Sequence, residues 1–476
     1  LERLVVRAAT TTMQIDGDVS LLAGGPVLLT VSAAGADAVV TRDVLARLAP
    51  DSTLVKALSP LQGGRLAQAD LLLHGVREPD GTFRIDRERS QLTAAVTSLD
   101  WQVDGLDAPL RGSNATVSLL RGDVVIALQG GRSEGVELER GRWELPAEGA
   151  GRVAIRARTQ LDSGWLGRRW PVLAATGTAG NAVIDLQAAL GIDDSVVSQW
   201  RGTVRLNDAS VSLAGALPTI AGVRGTVEFV DERPTRSTLL GEWFGGTVQL
   251  GFQADAADDS RPPSLTLRGV AAVSEIARTL GVVGSPKLTG EVTWSGSLQP
   301  AQEDRPALLL LESSLAGLES RLPAPFTKRS GRALPMALEA SLSEAATSWV
   351  LRNNREDLLR VESDGQLLQL QIDLPGLSGT AQRDREAGRR WRAEFDALEI
   401  LQVPALLAAA RATIGAAEPW SVSLRAADAT VGERSLGPIE AELTLASDAT
   451  DLVSARLPTL LNVAELRGRC AGRCSL

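Results

Sequence analysis

Along much of this chain, apolar and polar residues alternate one by one. Val204 and Leu206 enclose Arg205, and Val211 and Leu213 enclose Ser212. Val227 and Phe229 flank Glu228, and Val248, Leu250 and Phe252 alternate with Gln249 and Gly251. Leu368, Leu370, Ile372 and Leu374 alternate with Gln369, Gln371 and Asp373. A period of two predicts strands with one apolar and one wet face. Such strands belong to antiparallel sheets, because parallel strands are usually buried on both sides. Turn residues recur between them, at Pro79-Asp80-Gly81, Gly130-Gly131, Ser163-Gly164 and Asp364-Gly365.

Helical spacing is confined to three stretches. Arg42 to Leu58 reads as two short helices parted by Pro50, with Asp51-Ser52 capping the second. Ala272 to Val282 and Val403 to Ile414 are the others, the latter with Pro404 near its entry. The longest uncharged run, Val19 to Ala36, reaches the roughly 18-residue length of a membrane span. Its central Gly24-Gly25-Pro26 makes it two strands around a turn instead. Trp101 to Val117 and Val211 to Val227 share a loose phrase of strand, small residues, Pro, Gly and Thr-Val. Repetition of this kind suits a long sheet of similar meander units, none able to bury its apolar face alone. The fold expected is mainly β: a long antiparallel sheet with a few short helices, whose apolar face closes as a barrel, packs as a sandwich or curls into an open trough.

Composition narrows the function. The 476 residues carry a formal charge of −9 and include 10 Trp, 6 Phe, no Tyr, one His and 2 Cys. One His and two Cys do not make a conventional zinc or iron–sulfur site, and the Cys content gives no disulfide framework. The acidic, aromatic-poor chain lacks the basic stripe and stacking platform of a nucleic-acid binder. His74 stands at a strand end with no nucleophile motif beside it, and neither a G-x-S-x-G elbow nor a phosphate loop occurs. Gly222-Val223-Arg224-Gly225 reads as a turn between apolar strands, and Asp255, Asp258 and Asp259 as a solvated run. Asp255 to Pro263 and Gln299 to Pro306 read as loops at a sheet edge, and the pair Cys470 and Cys474 forms no recognisable site. No catalytic residue, metal or cofactor is expected.

What remains is the apolar face. Its positions are mainly Leu, Val and Ala with scattered Trp, a lining suited to an equally aliphatic ligand. The candidate lining residues are Val211, Leu213, Val227, Phe229, Val248, Leu250, Leu368, Leu370 and Ile372, each of which reads equally as a member of an ordinary closed core.

Several phrases carry a resemblance. Leu48 to Gly75 and Leu92 to Gly130 resemble segments of the YhdP family of AsmA-like proteins. So does Asn207 to Gly246, through Leu217-Pro218-x-Ile220, Gly222-Val223-x-Gly225, Val227-x-Phe229 and Phe244-Gly245-Gly246. Leu288 to Leu298 is similar to a Gly-x-x-x-Trp-x-Gly turn of that family. Ser313 to Lys328 is similar in its Leu-Pro-x-Pro phrase, and Leu424 to Leu443 resembles a strand pair joined through Leu436-Gly437. The resemblance implies a mainly β fold, a long, twisted antiparallel sheet curled into an open hydrophobic groove with a few short helices, in which residues 1–47 are a strand-rich lead-in, 48–445 the central β-groove, and 446–476 a poorly ordered tail. The chain begins at Leu1 without signal peptide or anchor, and is expected to be a central piece of a longer protein. The resemblance implies a periplasmic lipid carrier, anchored in the inner membrane by a part absent here. Its partners would be phospholipid acyl chains moving between inner and outer membrane, in support of the outer-membrane permeability barrier. The alternative is a structural or adhesin-like β-sandwich or solenoid of the cell envelope, with a closed core.

Overall fold

The computed structural model describes residues 4–8, 11–19, 22, 24–48, 53–79, 83–86, 88–102, 108–161, 178–190, 197–212, 217–231, 233–253, 263–279, 288–299, 301, 305–321, 327–343, 346–364, 367–384, 390–403, 419–445, 450–456 and 468–470. Among them the chain is mainly β. One sheet takes 29 strands, a second takes 2, and the helices are few and short. The chain forms two compact units, Leu1–Ala174 with Thr178–Ala209 and Arg224–Ser237, and Ala175–Gly177 with Ser210–Val223 and Thr238–Leu476.

The first unit opens with β1 (Leu4–Ala8), β2 (Thr11–Val19) and β3 (Pro26–Ala34), then α1 (Ala38–Leu48) and α2 (Thr53–Ala57). There follow β4 (Leu61–Arg77), β5 (Phe83–Ile85), β6 (Gln91–Trp101), β7 (Leu110–Leu120), β8 (Asp123–Gln129), β9 (Arg132–Ser133), β10 (Val136–Leu145), β11 (Gly151–Gln160) and β12 (Thr178–Leu190). Pairing is antiparallel along the path β1-β2-β3-β4-β6-β7-β8-β10-β11-β12. The two helices fall where the sequence breaks its alternation. The Asp37 carboxylate accepts from the Val39 and Val40 backbone N–H groups and so caps α1.

Next come β13 (Val197–Val211), β14 (Ile220–Val230) and β15 (Arg233–Trp243). The second unit continues with β16 (Gly246–Gln253), β17 (Ser264–Ala272), α3 (Val273–Thr279), β18 (Leu288–Thr289), β19 (Glu291–Gln299), β20 (Ala307–Ser313) and β21 (Glu319–Ser320). It ends with β22 (Met336–Leu342), β23 (Thr347–Asn353), β24 (Glu356–Ser363), β25 (Leu367–Leu374), β26 (Leu377–Asp384), β27 (Arg390–Glu399), β28 (Trp420–Val431), β29 (Arg434–Leu445), β30 (Thr450–Arg456) and β31 (Gly468–Cys470). From β15 onward successive strands pair antiparallel except β27 with β28, omitting β18 and β21, which pair with each other.

Several local expectations change. β27 and β28 run parallel, so the sheet is not wholly antiparallel. A parallel pair needs a connection of about a dozen residues or more, and the chain between Glu399 and Trp420 is long enough. Gly222-Val223-Arg224-Gly225 lies inside β14 rather than at a turn: Gly222 takes φ +60° while the strand continues, and Val223 is buried. Trp294 is likewise in mid-strand, in β19. Leu436-Gly437 does not join two strands. The turn is at Gly432-Glu433, and Gly437, at φ +78°, sits where the β28–β29 register slips, as at a bulge. The strand before Gly24-Gly25 is β2, which ends at Val19. Cys470 lies in β31 opposite Thr450. Cys474, Leu213, Asp255, Asp258, Asp259, Ser163-Gly164 and most of Val403 to Ile414 lie outside the described residues.

Candidate functional site

In the first unit the register stacks apolar positions across the sheet. Ala33, Ala69, Ala94, Val117, Ile126, Trp143, Val153 and Ala188 stand opposite one another from strand to strand. Opposite residues share a face, so alternation within each strand becomes a continuous apolar surface. That surface is filled. Leu54, Leu58 and Ala38 join Leu61, Leu66, Leu99, Trp101, Leu110 and Leu128 in one buried cluster, α1 packing on β4 and α2 on β8. Glycine makes room for the largest side chain: a Cβ on Gly141 would lie 2.6 Å from the Trp143 ring. The ring centroid of Trp143 is 6.1 Å from that of Trp101.

The second unit repeats the construction. One row runs Leu250, Leu267, Gly296, Leu311, Leu338, Leu351, Leu359 and Ile372. Its neighbour runs Phe252, Leu265, Leu298, Leu309, Ala340, Trp349, Val361, Leu370, Ala381, Ala393 and Leu424. The other face is mostly polar: Glu339, Arg360, Gln371, Thr380, Glu394 and Arg425 form a row there, with the buried Val350 between Glu339 and Arg360. On it Arg352 binds Asp357 (2.7 Å) and Glu339 (2.6 Å), and Arg360 binds Asp357 (2.8 Å). Hydrogen bonds from Arg352 and Arg360 hold the Asp357 carboxyl below its ordinary range, and those from Arg352 to Asp357 and Glu339 raise the guanidinium above its own.

Burial is uneven along the second unit. Val248 (0% exposed), Leu250 (2%), Leu267 and Leu309 are buried. In β23–β25 the apolar side chains Trp349, Leu351, Leu359, Val361, Leu368, Leu370 and Ile372 are only half-buried, whereas in β22 Leu338 is half-buried and Ala340 and Leu342 on the same face are buried. These strands make their substantial contacts with sheet neighbours alone. Ile372 also packs against the small cluster of Leu377, Leu398 and Ala426.

The candidate residues therefore fall into groups. Leu250 and Ile372 share one transverse row, Leu370 lies in the next, and Leu368 in the row beyond, between Ser363 and Arg383. Val211 and Phe229 are buried and Val227 is half-buried. The ring of Phe229 lies over Gly202, whose missing side chain leaves it space. His74 is half-buried in β4, its backbone N–H and C=O engaged with the Ser90 hydroxyl.

One group escaped the sequence reading. Arg383 shares the parity of Leu377, Gly379 and Ala381, which puts a cation on the apolar face beside Leu368 and opposite Trp391. Its guanidinium carbon lies 5.8 Å from the Trp391 ring centroid and 5.5 Å from that of Trp420, and the two indoles stack at 5.9 Å. Counting by twos from Leu377 would have found it.

Among the described residues no three His, Cys, Asp or Glu side chains gather as a metal would need, and no helix is long and apolar enough to cross a membrane. No curated protein and no solved structure matches the chain. Comparison with protein families matches residues 164–468, well over half of the sequence, to the family described as YhdP protein. The match takes in the phrases from Asn207 onward and both rows of the second unit, but not those between Leu48 and Gly130. By that match the chain belongs to the YhdP family.

Proposed function

We propose that this chain is the periplasmic part of a lipid carrier, and that the apolar face of β22–β25 receives the acyl chains of phospholipids in transit between inner and outer membrane. The observation that carries the reading is the set of half-exposed aliphatic positions around Leu359, Leu370 and Ile372, opposite a face of ion pairs. Each CH₂ moved from water onto such a surface gains up to about 0.8 kcal/mol. Many methylenes held by many equivalent side chains need no directional contact. Affinity is then spread over the surface, as suits a cargo that must move. The function is non-enzymatic, the Leu, Val and Ala of these rows offering neither nucleophile nor base. An anchor outside this chain would hold it to the inner membrane.

The test is phospholipid bound to the purified chain, measured by mass spectrometry after size exclusion. The expected result is copurified phospholipid in the wild type and its loss in Leu370→Asp, with the β-sheet circular dichroism retained. Lipid-free wild-type protein, or undiminished lipid in Leu370→Asp, would favour a closed structural sheet.

A further inference from the structure

A guanidinium on the oily side of a sheet is out of place unless something compensates it. Arg383 has no ion pair and no hydrogen bond among the described residues. Its Nε is buried and unpartnered, as is the indole Nε1 of Trp391. Stacking over Trp391 and Trp420 offsets part of the cost, because the ring faces attract the cation. Stacking uses only the flat face of the guanidinium. The N–H groups lie in its plane, that of the buried Nε remains to be satisfied, and the indole N–H is a donor with no accepting capacity. The group therefore offers several donors, one positive charge and no acceptor of its own.

The position narrows the ligand. Arg383 is the last residue but one of β26, so the site lies at the end of the strands. On one side stands Leu368, and one row inward stand Leu370, Ala381 and Ala393. An occupant has its anionic part at the strand end and apolar surface immediately next to it. Arg forks match phosphate oxygens two at a time. A purely hydrophilic phosphate would gain nothing from the neighbouring leucines, whereas an ester with hydrocarbon tails satisfies both.

Resting on the acyl-chain reading above, we infer that Arg383, framed by Trp391 and Trp420, binds the phosphate of a phospholipid headgroup while the tails lie on the rows of Leu368 and Leu370. The headgroup is thus read at one fixed point of an otherwise unspecific surface.

The full chain is incubated with phosphatidylglycerol and, in parallel, with diacylglycerol of identical acyl chains, both in neutral detergent micelles. Retained lipid is counted by mass spectrometry. A charge-assisted bidentate contact predicts about tenfold preference for the phospholipid. Arg383→Gln is expected to erase most of that preference and Arg383→Lys to keep part of it. Trp391→Phe, which keeps the ring and loses the N–H, is expected to lower it a few-fold. Diacylglycerol retention serves as the folding reference in each variant. An unchanged ratio in Arg383→Gln, or equal loss of both lipids, would mean that Arg383 is only a packing residue. Parity of the two lipids on the wild type overturns the headgroup site and leaves the acyl-chain reading standing; retention of neither overturns both. Binding of inorganic phosphate to the lipid-free chain with the same dependence on Arg383 would assign the site to a soluble anion instead.

Discussion

The apolar face of the first unit and that of β22–β25 in the second are written in the same alternation, and they meet different fates. In the first, the face between β3 and β8 is roofed by α1 and α2, and Leu99, Ile126 and Leu128 are almost wholly buried. In β23–β25, side chains of the same type keep part of their surface in solvent. The difference lies in what stands over the strands, since the strands themselves are alike. A period-two pattern declares which side of a strand is apolar. Whether that side is filled by protein or left for a ligand depends on segments elsewhere in the chain, here the 11-residue α1 and 5-residue α2 between β3 and β4.

The sharpest way to test the contrast is a matched pair of truncations. Leu128→Ala removes a side chain that is 1% exposed within the roofed cluster, and should cost about 2–5 kcal/mol as transfer and cavity terms add. Leu370→Ala removes a half-exposed side chain with no cavity to leave behind, and should cost under about 1 kcal/mol. Urea unfolding of both variants measures the difference, and equal losses would mean that β22–β25 are as closely packed as the roofed face. A smaller effect is expected at the roof itself. Asp37→Ala leaves two backbone N–H groups of α1 without their acceptor and should cost about 1 kcal/mol in the same urea unfolding, and an unchanged midpoint would mean that packing alone holds the helix.

The smallest effect concerns the polar side of β22–β25. Asp357 titrates below its ordinary value because Arg352 and Arg360 bind its carboxylate. A carboxyl that is more acidic in the folded state stabilises the fold above the ordinary carboxylate range, and that contribution is lost as pH falls through the folded value. Asp357→Asn should therefore flatten the acid limb of a stability–pH profile while changing little at low pH. The groups are about a third exposed, so the effect is small and salt should shrink it further. An acid limb of unchanged slope in the variant would show that the pair contributes nothing to stability.

Much of this was legible residue by residue. The alternation through Val248–Phe252 and Leu368–Leu374 fixes strand and face together, because side chains must point to opposite sides in turn. The break in alternation from Arg42 to Leu58 fixed the two helices. Turns were harder. Gly222 and Gly437 take positive φ inside strands, and a glycine in sequence does not say whether the chain reverses there or only bulges. The site was harder still. Leu250 and Leu370 look alike in sequence, yet one is buried and the other half-exposed.

The sequence alone determined the strand class, the sidedness of each strand and the aliphatic character of the face, since all three follow from local spacing and side-chain chemistry. Register, and with it the rows that join Leu250 to Ile372, was settled only by strand pairing across many residues of separation. Tertiary structure alone also decided which part of the apolar face is roofed, and that Arg383 stands beside Trp391 and Trp420. Burial and juxtaposition are properties of distant segments meeting in space, and no local pattern carries them.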